Sequence, residues 1–234
     1  MKSHVIKIPP RKKLIAPSSW TKKLLADAHF EAMLFCASAC LYCSSNAGLQ
    51  LRFLNKSLKR IIQTAVEQLT DKPFNPHDAA DITIAYREVV KALDNELSRM
   101  KRKPGAGKTL VFSQLTDGFS PVLLKNGIVR QILELLLEKT EYRIRILTKN
   151  AIVGRHKWVK LFAQHPGRFV VGLSCGSLDA DFTRRMERLT SSPHARIAAL
   201  HNLQGAGVLL QSKAGDDGFS KNSAFAAVQK KIIS

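Results

Sequence analysis

Apolar positions along the chain change rhythm twice, and each change predicts a different kind of structure. Residues 1–25 show no sustained period and contain Pro9, Pro10 and Pro17, so they read as an extended basic arm. From His29 to Phe35 the chain is almost continuously apolar, the pattern of a buried strand that delivers the loop after it to a site. Helical spacing follows twice. Leu54, Leu58, Ile61, Ile62, Ala65 and Leu69 mark a helix over Leu51 to Leu69. Ile84, Val89, Val90, Leu93 and Leu97 mark a second over Pro76 to Met100, capped by Asn75 or Asp78.

Beyond the basic Pro/Gly linker Arg99 to Lys108, strands and helices alternate. Thr109 to Ser113, Tyr142 to Leu147 and Arg168 to Ser174 read as strands. Ile128 to Lys139, His156 to Gln164, Ala180 to Leu189 and Pro193 to Gln204 read as helices, the last with proline in its first turn and glycines just past its end. Strands separated by helices of this length imply an α/β fold with a parallel sheet and right-handed crossovers, closed as a barrel or left as an open part of one. The expected organisation is an arm over 1–25, a partial β/α barrel over 26–208 with a helical insertion about 51–103, and a polar tail over 209–234.

Composition narrows the partners. The 234 residues carry 37 Lys+Arg against 18 Asp+Glu, a net charge of +19 that would draw phosphate backbones or other polyanions, with solvated basic faces as the plain alternative. The greasiest run, Ile128 to Leu137, is broken by Arg130, Gln131 and Glu134, so no stretch reaches the ~18–20 apolar residues of a spanning helix. The basic N-terminus lacks the apolar centre of a secretory signal, and a cytoplasmic location without membrane contact is expected.

Three of the four cysteines lie within eight residues, as Cys36-Ala-Ser-Ala-Cys40-Leu-Tyr-Cys43. A disulfide in so short a segment would strand the third thiol, so reduced, metal-binding thiols fit better. Three thiolates spaced by three and then two residues can wrap a cubane [4Fe–4S] cluster, each on a different iron, with one iron left open. A zinc site completed by His29 or Cys175 is an alternative, although the second Cys-x2-Cys pair usual for zinc is absent. Three core cysteines are another, poorly matched to a loop that also holds Ser38, Ser44, Ser45 and Asn46.

Cys-x3-Cys-x2-Cys with an aromatic residue, here Tyr42, just before the third cysteine resembles the signature of the radical S-adenosylmethionine (SAM) superfamily. Within it, residues 28–208 look like the spore photoproduct lyase branch, through Thr116-Asp117 with Pro121, Thr148-Lys149, Ser174, Glu187-Arg188, Pro193, Arg196 and Ala206-Gly207 in that order. The resemblance implies that Cys36, Cys40 and Cys43 ligate a [4Fe–4S] cluster whose open iron chelates SAM. Reductive cleavage of SAM would then give a 5′-deoxyadenosyl radical, with a flavodoxin or ferredoxin as electron donor. It also implies Tyr42, Thr116, Lys149 and Ser174 as SAM contacts, the last three at C-terminal strand ends where α/β folds place ligands. A hydroxyl at Thr116 or Ser174 would bond the ribose or the methionine group, and Lys149 would pair with its carboxylate.

Two departures stand beside these matches. The lyases carry a hydrogen-donor cysteine two positions before the equivalent of Thr116, where this chain has Gln114. Their barrel also continues after the position of Gly207, so the C-terminal part of the barrel is expected to be missing here. The competing expectation is a noncatalytic or truncated metal-bound protein that binds nucleic acid or a partner. Pro104-Gly-Ala-Gly-Lys-Thr109 fails as a phosphate-binding loop, because Arg102 replaces its first glycine and a strand follows it. His156, His165, His194 and His201 show no paired metal spacing.

Overall fold

A computed structural model describes residues 4–18, 26–36, 38, 40–43, 56–75 and 82–210. The polar tail beyond Leu210 and the predicted cap Asp78 lie outside the described residues. Two sheets organise the chain. Strands β1 (His4–Ile8), β4 (Met33–Phe35) and β5 (Ile82–Tyr86) form one, in the order β1-β5-β4. Strands β2 (Ile15–Pro17), β3 (Ala28–Phe30), β6 (Thr109–Phe112), β7 (Arg143–Thr148) and β8 (Phe169–Leu173) form the other, in that order. Its pairs β3–β6, β6–β7 and β7–β8 are parallel, and β2 is antiparallel on the edge. The sheets do not close into a barrel among the described residues, which agrees with the expected open α/β architecture.

Helices α1 (Lys56–Thr70), α2 (Val89–Ser98), α3 (Pro121–Lys125), α4 (Ile128–Lys139), α5 (His156–Ala163), α6 (Ala180–Met186) and α7 (Pro193–Gly205) make the connections. None is long and apolar enough to cross a membrane. Alpha-4 forms where the sequence predicts it because Val129, Ile132, Leu133 and Leu136 fall on one buried stripe. Asp179 caps α6 by accepting the Asp181 and Phe182 N–H groups, and Ser192 caps α7 with Pro193 in its first turn. A chain of aromatic contacts runs through the core, from Phe30 on Phe112 (5.8 Å) through Phe119 and Trp158 to Phe162 and Phe169 (4.9 Å). It joins β3, β6, α5 and β8 on one face of the larger sheet.

Three elements differ from expectation. The run His29 to Phe35 is two strands in two sheets, because the chain changes partners at Glu31 and Ala32: the Phe30 carbonyl accepts from Ser113 N–H, and the Ala32 carbonyl accepts from Tyr86 N–H. Residues 82–86 are a strand and not part of a helix. All five are buried, and Ile-Thr-Ile-Ala-Tyr is rich in the β-branched and aromatic types that favour strands. Helix α2 therefore starts at Val89, behind Glu88 in a left-handed conformation (φ 43°), without Asn75 as its cap. Within residues 1–25, His4–Ile8 pairs in parallel with β5 and Ile15–Pro17 pairs with β3.

Candidate functional site

Beta-4 ends at Phe35, and Cys36 is the next residue, so the strand hands its polypeptide directly to the cysteine loop. Cys36 and Cys40 are buried, Cys43 is half-buried, and all are free thiols. Two backbone bonds shape the loop: Cys43 N–H donates to the Cys40 carbonyl (2.9 Å), and Leu41 N–H donates to the Met186 carbonyl at the end of α6 (2.9 Å). Burial pushes the Cys36 thiol up to about 11, with the charges of Asp117 and Cys43 adding to it and the Asp117 N–H opposing it. Burial also pushes Cys40 up to about 12; Lys149 opposes that rise, while Cys36, Glu187 and Cys43 add to it. Cys36 and Cys40 thus lie within one another's field, and burial favours the neutral form of both.

Among the described residues no three His, Cys, Asp or Glu side chains converge on one point as a single metal ion demands. A cubane takes its thiolates on separate irons, so three spaced, reduced cysteines on one loop suit it by donor chemistry. Both side chains offered as a fourth zinc ligand are otherwise engaged. His29 Nδ1 lies 3.1 Å from the Pro17 carbonyl, and the Cys175 thiol donates to the Ser177 carbonyl at 3.2 Å.

Lys149 and Ser174 follow β7 and β8 at neighbouring strand ends. Lys149 Nζ donates to Ser174 Oγ (3.1 Å), sits 3.7 Å from Glu187 Oε1, and lies 5.4 Å from the centre of the Tyr42 ring. The structure therefore brings Tyr42, Lys149 and Ser174 together beside the cysteine loop. Thr116 faces a different partner, donating to Glu31 Oε2 at 3.0 Å. Asp117 ties the strand ends by accepting from Thr148 Oγ1 (2.6 Å) and from the Lys149 N–H (2.9 Å). A cleft of about 130 Å³ opens there, lined among others by Ser38, Asp117, Ser120, Lys149, Asn150 and Ser191.

Beneath this group is an ion pair to which sequence reasoning assigns no role. Arg196 and Glu187 are 1% and 4% exposed, and they meet at 2.5 Å. The Arg196 guanidinium also donates to Thr190 Oγ1 and to the Ser174 and Ser191 carbonyls, so most of its fork is satisfied. Glu187 accepts from Tyr42 Oη on its other oxygen. One buried carboxylate thus links α7, Lys149 and the cysteine loop. Glu187 and Arg196 enter the sequence reading only as positions of the resemblance, and no spacing rule marks such a pair.

Glu31, at the point where the chain changes sheets, is 1% exposed and accepts from the Leu115 N–H and Thr116 Oγ1. Burial raises its pKa from 4.5 to about 7, against those two hydrogen bonds. A carboxyl raised in the folded state binds its proton there at pH values where the unfolded chain has lost it. Its contribution to stability therefore falls as pH rises from about 4.5 to about 7. Glu31→Gln is expected to flatten that decline in urea-unfolding midpoints compared at pH 5 and pH 7.5. An equally steep decline in the variant would assign it to other groups.

No protein-family profile and no curated protein matches the chain. Solved structures do. Spore photoproduct lyase complexed with dinucleoside spore photoproduct superposes with a TM-score of 0.50 at 16% identity, covering 88% of this chain and 49% of that one. A cysteine-to-serine variant of the lyase gives 0.53 at 16% identity, with the same coverage. A double variant with bound AdoMet and dinucleoside spore photoproduct gives 0.50 at 15% identity. The chain spans about half the length of these proteins and has the fold of that half.

Proposed function

We propose that this chain, built on the fold it shares with spore photoproduct lyase, is a radical SAM enzyme acting on a nucleic-acid substrate. The observation that carries the reading is the placement of the Cys-x3-Cys-x2-Cys loop beside Lys149 and Ser174 at adjoining C-terminal strand ends. Cys36, Cys40 and Cys43 would hold a [4Fe–4S] cluster, and Lys149, Ser174, Tyr42 and Thr116 would line the SAM site. When bound, the cluster supplies the electron, drawn from a flavodoxin- or ferredoxin-type donor, that splits SAM into methionine and a 5′-deoxyadenosyl radical.

The residues' own tasks follow from their contacts. Lys149, held by Ser174 Oγ and Glu187, presents a cation to the SAM carboxylate, and Ser174, which accepts from Lys149, keeps its O–H to donate to the ligand. Tyr42 is fixed through Glu187 and shields one side of Lys149. Thr116 donates its O–H to Glu31 and offers its oxygen only as an acceptor. Gln114 is occupied by Ser18, whose Oγ donates to its side chain at 2.7 Å, and it provides no thiol. The reaction is therefore not one that returns a hydrogen atom through a cysteine at that position. A cytoplasmic site of action completes the reading.

Anaerobic reconstitution with iron and sulfide, followed by dithionite and SAM, is expected to yield 5′-deoxyadenosine. A reconstituted, iron-loaded chain that leaves SAM intact would favour the second reading, a noncatalytic metal-bound nucleic-acid or partner module, for which the net charge of +19 speaks.

A further inference from the structure

The end of the larger sheet opposite the cysteine loop carries an unpaired basic rim. Between α2 and β6, residues 99–108 contain Arg99, Lys101, Arg102, Lys103 and Lys108, all exposed, and no acid. The loop is held in place. Lys108 N–H closes a turn onto the Gly105 carbonyl, Glu141 N–H donates to the Pro104 carbonyl, and Arg143 N–H donates to the Lys108 carbonyl. Gly105 adopts φ +101° directly against Tyr142, whose ring would lie 2.4 Å from any added Cβ, so the loop's backbone is seated on β7.

Arg143, exposed at the start of β7, adds a sixth cation to this rim. Two residues further, on the same face of the strand, Arg145 is partly buried, and its Nε and Nη1 have no hydrogen-bond partner. Its register neighbours are Val111 and Val170, which offer no counter-charge. None of these seven cations forms an ion pair among the described residues. The bordering acids are Asp27, whose carboxylate accepts the Thr109 N–H (2.8 Å), and Glu141. So many cations left without anions raise the local potential.

We propose that this rim, Arg99 to Lys108 with Arg143 and Arg145, is a docking surface for the phosphodiester backbone of a nucleic acid. A lipid surface would need aromatic or long apolar side chains among the cations, and within 99–108 Met100 is the single candidate. At about 3.3 Å per residue, Arg143 lies about 20 Å along β7 from Lys149. A bound strand would therefore be gripped several nucleotides from the reacting centre. The assignment extends the nucleic-acid part of the reading above, but it rests on surface charge and not on the cluster.

The test uses the full chain without cluster reconstitution or SAM, and reads fluorescence anisotropy of a labelled 20-mer oligothymidylate and a labelled 20-base-pair duplex over a KCl series. The Lys101→Gln, Arg102→Gln, Lys103→Gln triple variant is expected to weaken binding at least about tenfold and to flatten the salt dependence by about two to three units of slope. A control with Lys125, Lys157 and Lys160 changed to Gln, the same loss of charge on α3 and α5, is expected to stay within about twofold of wild type. Equal losses in the two variants would overturn the proposal, as would a wild-type chain that binds phosphatidylserine vesicles or an acidic peptide but neither oligonucleotide. Reconstituted separately, the rim variant is expected to cleave SAM as the wild type does, so failure of the docking surface and failure of the radical SAM reading are read in different assays.

Discussion

Changing Cys36, Cys40 or Cys43 singly to alanine is expected to leave a reconstituted chain with little cluster iron and to reduce 5′-deoxyadenosine formation to background. In the proposed cluster each thiolate would hold a different iron of a cubane, so removing one would leave two irons without a protein ligand, and the remaining pair would not retain the cluster. The two other candidate ligands are engaged elsewhere: Cys175 donates to the Ser177 carbonyl, and His29 lies against the Pro17 carbonyl. Cys175→Ala therefore serves as the control and is expected to keep its iron, about four per chain when fully loaded. Iron and sulfide analysis with the visible absorption spectrum reads both. Equal iron in wild type and in the Cys36, Cys40, Cys43 triple alanine variant would remove the cluster from the account.

The second large effect is on stability. Arg196→Met is expected to cost about 3–5 kcal/mol, because it takes from the buried Glu187 its closest cation, leaving Lys149 at 3.7 Å, and frees the Ser174 and Ser191 carbonyls. Glu187→Gln alone should be milder, since an amide can still accept from Arg196. Combining Glu187→Gln with Arg196→Met is expected to recover part of the Arg196 loss, because the stranded charge is gone. Urea-unfolding midpoints of the four proteins decide it. A loss below about 1 kcal/mol for Arg196→Met would show the pair to be no more than a surface-like contact.

Where the sequence was legible, one buried face repeated at a single period. Ile128–Lys139 could be bounded because its buried stripe and end residues agree, and Pro193–Gly205 to within a residue because Pro193 and the glycines mark its ends, although Arg196 sits on its buried face. The runs at 28–35 and 82–86 were harder, since every residue in β4 and β5 is buried and a continuous apolar run has no period to read. Only pairing decided them: β5 exists as a strand because β1 lies beside it in register, and β1 itself hides in a stretch that Lys7 and two prolines make look unstructured. The cysteine loop was plain for the opposite reason, as its three thiols are neighbours in the chain. Glu187 with Tyr42, and Glu31 with Thr116, are separated by 145 and 85 positions, so no spacing announces them.

The way residues 4–17 are divided bears on how the protein ages and is handled. Beta-1 is an outer strand of one sheet and β2 an outer strand of the other, with Pro17 on the latter. One short segment therefore covers an open edge on each sheet. Proteolytic trimming there would uncover β5 and β3 together, offering two unpaired strands to neighbouring molecules, and self-association into aggregates would compete with the native state before the cysteine loop had been touched.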